Sequence, residues 1–289
     1  MKKIGFIIIF LLAFSFSFNI SDPALIKSAK IEIVEDGAII AKKGKREELT
    51  IYIPVPAQTD YQKVESSDKI FSDKDGNSFI LINVSRPQNP FYFYKRFLVY
   101  TNSRTTDSLN SSFYIDNQIK KFLTSTQKYQ SFHPIINELA EKIVENSSSD
   151  FEKVARLAIF VNNYINYNLS MAGKEKDALW IVENRQGVCT EFTTLFVTLA
   201  RAVGIPAKSV TGYVYSNNTW SAHAWAEVYL GRWVPVDPTW LEVGNLDALH
   251  IELSKEGENR FSYSYTSYDT NINVIFNSSK KDNFYLKNI

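Results

Sequence analysis

Two residue types are scarce in this chain, and each scarcity excludes something. Among 289 residues there is one cysteine, Cys189, so no intramolecular disulfide can form. There are three histidines, His133, His223 and His250. One cysteine with three histidines is a poor set for a Cys/His zinc cage, and no metal or organic cofactor motif occurs, so none is expected. An excess of either charge is also missing. Lys and Arg total 32 against 31 Asp and Glu, a formal net charge of +1. No global field or basic stripe draws such a protein to nucleic acid or an anionic surface, so no nucleic-acid partner is expected. Long apolar runs are limited to one, residues 4–18, so the body reads as soluble. What remains is globular: 45% hydrophobic and 22% charged residues rule out wholesale disorder.

The single apolar run follows Met1-Lys2-Lys3, the order of a secretory signal. No Ala-x-Ala pattern follows it, and Ser15, Ser17 and Ser21 are the small candidates for cleavage. Two outcomes stay open, a cleaved signal peptide or an uncleaved signal-anchor that tethers the chain to the membrane. Either exports residues after about 21, as a secreted or membrane-anchored extracytoplasmic protein. No cysteine near the leader offers a lipoprotein anchor. Asn-x-Ser/Thr sequons at Asn83, Asn110, Asn146, Asn168, Asn217 and Asn277 are compatible with export.

Residues 22–112 read as a β-rich N-terminal domain. Ile31 and Ile33, then Ile51, Ile53 and Val55, recur with period two, and Phe79–Ile82 and Phe91–Tyr100 are β-branched and aromatic runs. About six antiparallel strands are expected, with turns at Asp36-Gly37 and Asp75-Gly76 and a solvated basic tip at Lys42–Arg46. Residues 101–112 read as a linker. Residues 113–289 then form a second domain, helical first and β again from about Lys208, with a β C-terminal extension. Ile135, Ile136, Leu139, Ala140 and Ile143 mark one helix, with Pro134 in its first turn. Val154 through Ile165 mark another behind Ser147–Asp150, and a short one covers about 177–183.

The chemistry concentrates between Asn184 and Trp240. After Cys189, apolar residues fall at Phe192, Leu195, Phe196, Leu199, Ala200 and Val203, one face of a helix that Gly204 and Pro206 stop. Cys189 therefore opens a buried helix, where the partial positive charge favours a thiolate. Two strands follow, and S-A-H-A-W-A-E-V-Y-L and R-W-V-P-V-D read as the arms of a hairpin. A three-residue loop centred on Leu230, with Gly231 left-handed, sets Asp237 directly opposite His223. A helix-N-terminal Cys, a strand His and a strand Asp supply a nucleophile, a base and an orienting carboxylate. Gln186 is a candidate oxyanion donor beside the Cys189 backbone N–H. Trp180 and Trp225 are candidate cleft walls. His133 and His250 read as structural.

These blocks resemble the transglutaminase-like superfamily. G-V-C stands at 187–189, R-A-V-G-I-P-A at 201–207, H-A-W-A-E at 223–227 and W-V-P-V-D-P at 233–238, in the family's order. The resemblance covers about Glu138 to Leu253. It implies a papain-like α+β core, with a helix-borne Cys packed on an antiparallel sheet and Cys189, His223 and Asp237 as the triad. It further implies a thiol enzyme acting on amide bonds of a protein or peptide substrate through a thioester. Water resolves that thioester in a peptidase or amidase, and an amine resolves it in an acyltransferase. The alternative is a non-catalytic surface-binding or scaffold module on the same fold.

Overall fold

The computed structural model describes residues 26–41, 46–73, 76–106, 113–216, 219–256, 262–267 and 272–281. The apolar leader, Lys42–Lys45 of the basic tip, Asp75, Asn110 and Asn217 lie outside the described residues. No helix among those described is long and apolar enough to cross a membrane.

The N-terminal alternation makes strands β1 (Ser28–Ala41), β2 (Arg46–Val55), β3 (Gln62–Glu65), β4 (Phe71–Ser72), β5 (Ser78–Ser85) and β6 (Phe91–Asn102). A short β7 (Arg104–Thr105) follows inside the expected linker. Ile31 and Ile33, Ile51, Ile53 and Val55, and Phe97 and Val99 are buried at every second position, which gives each strand one apolar face.

The expected helices form with close to the expected limits. After the short α1 (Asn117–Lys120) come α2 (Pro134–Val144), α3 (Asp150–Tyr164), α4 (Ala178–Asn184) and α5 (Cys189–Ala202). His133 caps α2 by accepting the Ile135 N–H, and the Ser149 hydroxyl caps α3 by accepting from Glu152. Helix α5 is buried on all sides. Its polar face survives burial because Thr194 and Thr198 each donate to the carbonyl four residues back, at 2.7 Å.

Around α5 lie the parallel pair β8 (Asn166–Tyr167) and β9 (Gln186–Gly187), then β10 (Ala207–Ser216), β11 (Thr219–Tyr229), β12 (Trp233–Asp237), β13 (Glu242–Val243), β14 (Asn245–Leu246) and β15 (His250–Lys255). Five of them form an antiparallel sheet in the order β13-β12-β11-β10-β15. Phe192, Leu195, Phe196 and Leu199 of α5 share one core with Ala226, Val228, Val234 and Val236 of the sheet. This is the α+β arrangement expected, a helix carrying Cys189 on an antiparallel sheet.

The last strands go elsewhere than their sequence position suggests. β16 (Ser262–Ser267) pairs with β2, and β17 (Ile272–Lys281) pairs with β1. They complete two four-stranded sheets, β17-β1-β6-β3 and β16-β2-β5-β4, whose apolar faces form one core that Ala248, Leu249 and Ile251 close. The expected turn at Asp36-Gly37 is absent. Asp36 pairs with Tyr94 and Gly37 with Phe93 inside an unbroken β1. A strand bonded on both edges gains two ladders, and these outweigh a local turn preference.

The two halves meet over a buried charge cluster. Arg104 reaches Glu227 Oε1 at 2.5 Å and lies over the Tyr61 ring at 4.1 Å. Lys208 reaches Glu227 Oε2 at 3.0 Å. Lys255 reaches Glu252 at 3.0 Å, and the Tyr61 hydroxyl donates to Glu252. Burial opposes ionisation of Glu227, but Arg104, Lys255 and Lys208 together hold its carboxyl well below the usual range.

Candidate active site

Cys189 is the first residue of α5, and Val188 is its extended N-cap. Valine has no side-chain acceptor, so the helix start is held from the other direction. Glu191 Oε2 accepts the Val188 N–H and the Thr190 hydroxyl, each at 2.9 Å. Glu191 is the third helical residue, the capping-box position. Its side chain leaves no room at Gly187: a Cβ there would lie 2.2 Å from Glu191 Cβ and 2.6 Å from Cγ. Gly187→Ala is therefore expected to destabilise the fold by about 1–3 kcal/mol and to displace the start of α5. Urea denaturation measures this, and a wild-type midpoint with an unchanged slope would contradict it.

His223 and Asp237 come together from β11 and β12, though not in the expected register. Tyr229 pairs with Trp233 and Ala226 with Val236, so the three-residue loop centres on Gly231, which has φ +81°. The next position sets Asp237 opposite Trp225 and diagonal to His223. The turn centre moved by one residue, which shifts cross-strand partners by two. Side-chain parity is thus kept, and both groups stay on one face. His223 Nε2 lies 2.6 Å from Asp237 Oδ2. Asp237 is fully buried, and its Oδ1 accepts the backbone N–H of Thr239 at 2.8 Å and of Trp240 at 3.2 Å. Neither carboxylate oxygen is spare, so the group cannot swing away.

The electrostatics follow from this packing. Burial works against a charged His223, but hydrogen bonds to Asp237 and to the Cys189 side chain outweigh it and raise the imidazole to about 9. With Nε2 taken by Asp237, Nδ1 is the nitrogen left for the thiol. Burial likewise opposes the Asp237 anion, and the hydrogen bond from His223 with the nearby imidazoles holds it well below the usual carboxylate range.

Two groups around this set were not singled out from the sequence. The Trp240 ring stacks on His223 at 4.6 Å and 16°, still 40% exposed, as a cover over the imidazole. Tyr167 stands on the Cys189 side. Burial, then the charges of Cys189 and Asp237, push its hydroxyl up. The W-x-x-x-D-P-T-W spacing placed Trp240 near Asp237 but could not orient it. Nothing in the sequence pointed to Tyr167. His250, read as structural, stands beside Asp237, with Nε2 3.7 Å from Oδ2.

Of the other candidates, Trp225 flanks the site, near-parallel to His223 at 6.2 Å. Gln186 lies in β9, where its side-chain oxygen accepts from Asn168 at 2.8 Å and leaves the amide nitrogen as the donor end. Trp180 sits on α4, packed on the helical core with Lys176 over its ring at 5.2 Å.

His223, Asp237 and His250 offer three donor atoms within 4.8 Å of one another. Two ligands about 2.0–2.1 Å from a tetrahedral ion lie more than about 3 Å apart. His223 and Asp237 are closer than that and are bonded to each other. The cluster fits a hydrogen-bonded network better than a metal cage.

Residues 137–238 match the family model of the transglutaminase-like superfamily. That stretch carries Cys189, His223 and Asp237, and it is similar to that superfamily's core. Among curated proteins, kyphoscoliosis peptidase of Mus musculus is 31% identical over 119 residues, 36% of this chain and 18% of its own length. YebA of Bacillus subtilis, an uncharacterized protein, is 27% identical over 126 residues, again 36% of this chain and 17% of its own. This chain thus spans less than a fifth of the length of either relative. Among solved structures, a candidate cysteine protease from Cytophaga hutchinsonii superposes with a TM-score of 0.61 at 22% identity, over 88% of this chain and 92% of that one. The likeness shows a shared fold over most of the chain.

Proposed function

We propose that this transglutaminase-like protein is an exported thiol enzyme that cleaves amide bonds of proteins or peptides. The observation that carries the reading is the 2.6 Å pairing of His223 with a fully buried Asp237, with the Cys189 side chain at the start of α5 hydrogen-bonded to the same imidazole. His223 holds the proton taken from the thiol, and Cys189 Sγ attacks the amide carbonyl carbon. His223 then delivers that proton to the leaving amine, the C–N bond breaks, and a thioester remains on Cys189. Water adds to the thioester, the S–C bond breaks, and the acid leaves as the thiol regains its proton. Asp237 holds the imidazole in one tautomer and steadies its charge. The Cys189 backbone N–H, at the first position of α5, and the Gln186 amide are the donors proposed for the oxyanion. A relative named as a peptidase favours water over an amine as the acceptor.

Casein incubated with the enzyme and dansylcadaverine, followed by mass spectrometry, tests the reaction type. Cleaved peptides mark a peptidase, and dansyl adducts on glutamine mark an acyltransferase. Casein left as unchanged as by Cys189→Ala would overturn the reading. Export rests on Lys2-Lys3 and the apolar run behind them. Fractionation that finds the full-length chain soluble in the cytoplasm would contradict it.

The raised His223 sets a pH limit. Its protonated form must be present to supply the leaving amine, and that form is lost as pH rises through about 9. The expected kcat/KM is flat from about pH 7 to 8 and falls roughly tenfold per unit well above 9. A fall centred near pH 6.5 would show that Asp237 does not hold the imidazolium.

A further inference from the structure

His250 has a full complement of anchors and no task in the mechanism above. It is buried, with Nδ1 3.0 Å from Asp247 Oδ1. Its ring stands edge-on to Trp225 at 5.4 Å and to Trp240 at 5.6 Å. These contacts fix where Nε2 points. Nε2 makes no hydrogen bond among the described residues, and it lies 3.7 Å from both Asp237 Oδ2 and Glu242 Oε2. A buried ring nitrogen without a hydrogen bond costs free energy, so its placement between two carboxylates has a use or is a defect.

We propose that His250 is a positioning residue of this site: it presents a fixed positive N–H to the same Asp237 oxygen that His223 uses, and so keeps that carboxylate ionised and aimed at His223. The inference rests on the reading of Cys189, His223 and Asp237 as the catalytic set. The groups facing His250 are Asp237 from β12, Glu242 from β13, Asp247 from the segment before β15, and His223 from β11 at 6.2 Å between rings. Three carboxylates against one other imidazole favour a charged His250. Burial opposes that charge, but Asp237, Asp247 and Glu242 outweigh it and raise the ring to about 9. Without the cation, Asp237 would face Glu242, whose carboxyl burial raises to about 7, with His223 as its one remaining imidazole, and Asp237 would lose anionic character. At 3.7 Å the pairing is longer than a hydrogen bond, so the effect on Asp237 is one of charge. The same ring braces Trp240, which covers His223.

Two variants separate charge from packing. His250→Gln keeps an N–H donor without charge, and His250→Leu keeps bulk with neither. The expected kcat falls roughly 30-fold in the leucine variant and about 5-fold in the glutamine variant, with KM within about threefold in both. Cys189 is the chain's sole thiol, so iodoacetamide labelling against pH reads its pairing with His223 without any substrate. In both variants the midpoint of that labelling profile is expected to move to higher pH, because both lack the charge. Folded variants, checked by circular dichroism, with wild-type kcat and a wild-type labelling profile would overturn the proposal. So would a loss of kcat with an unmoved profile, the mark of a packing role. If the leucine variant does not fold, the glutamine variant decides. Turnover surviving in Cys189→Ala would sink the catalytic set itself, while the labelling profile would still decide His250.

Discussion

Cys189→Ala is expected to lower kcat/KM on casein by roughly 10⁴-fold or more, and His223→Ala by a similar factor. In the proposed mechanism the first removes the atom that forms the thioester, and the second removes the group that moves the proton. The two do not add, because neither step proceeds without the other. Asp237→Asn should cost less, roughly 10- to 1,000-fold, or about 1.4–4 kcal/mol of barrier. Asparagine keeps the size, and its oxygen can still accept from the Thr239 and Trp240 N–H groups. It loses the charge that steadies the imidazolium, and its amide N–H₂ would face His223 Nε2 and impose the other tautomer. Steady-state kinetics on folded single variants is the measurement. A folded Asp237→Asn enzyme at the wild-type rate would remove Asp237 from the set, as an active Cys189→Ala would remove Cys189.

Glu227→Gln is expected to have the largest effect on stability, a loss of about 3–5 kcal/mol. Glu227 ends the H-A-W-A-E block, so the motif alone invites a catalytic role. The structure gives it a different neighbourhood: Arg104 at 2.5 Å, Lys208 at 3.0 Å and Lys255 at 3.7 Å. Glutamine removes the negative charge and leaves buried cations without it, the costly half of a buried pair. Arg104 belongs to β7 and Lys208 to the central sheet, so the loss falls on the contact between the two halves. Urea denaturation with the slope compared to wild type reads it. The folded fraction should keep kcat within about threefold. The opposite result, unchanged stability with lost turnover, would move Glu227 into the chemistry.

Much of this protein was legible without coordinates, for identifiable reasons. Helix α5 was readable because its period-3.6 apolar face is local and ends at Gly204 and Pro206. Cys189 at its start was readable for the same reason. The alternation that made β1, β2 and β6 is equally local, since a strand's period does not depend on its partner. The face shared by His223 and Asp237 followed only from taking the loop as three residues long: such a loop displaced by one residue changes the partner but not the parity, whereas a loop longer or shorter by one would have turned Asp237 away. The tertiary structure alone decided who pairs with whom. It set β17 beside β1, ran that strand straight through Asp36-Gly37, and laid Asp237 diagonal to His223 with Trp240 stacked above. It brought His250 from thirteen residues beyond Asp237 to within 3.7 Å of its carboxylate. These placements arise from hydrogen bonds and packing between residues far apart in the chain, whose energies no local pattern records.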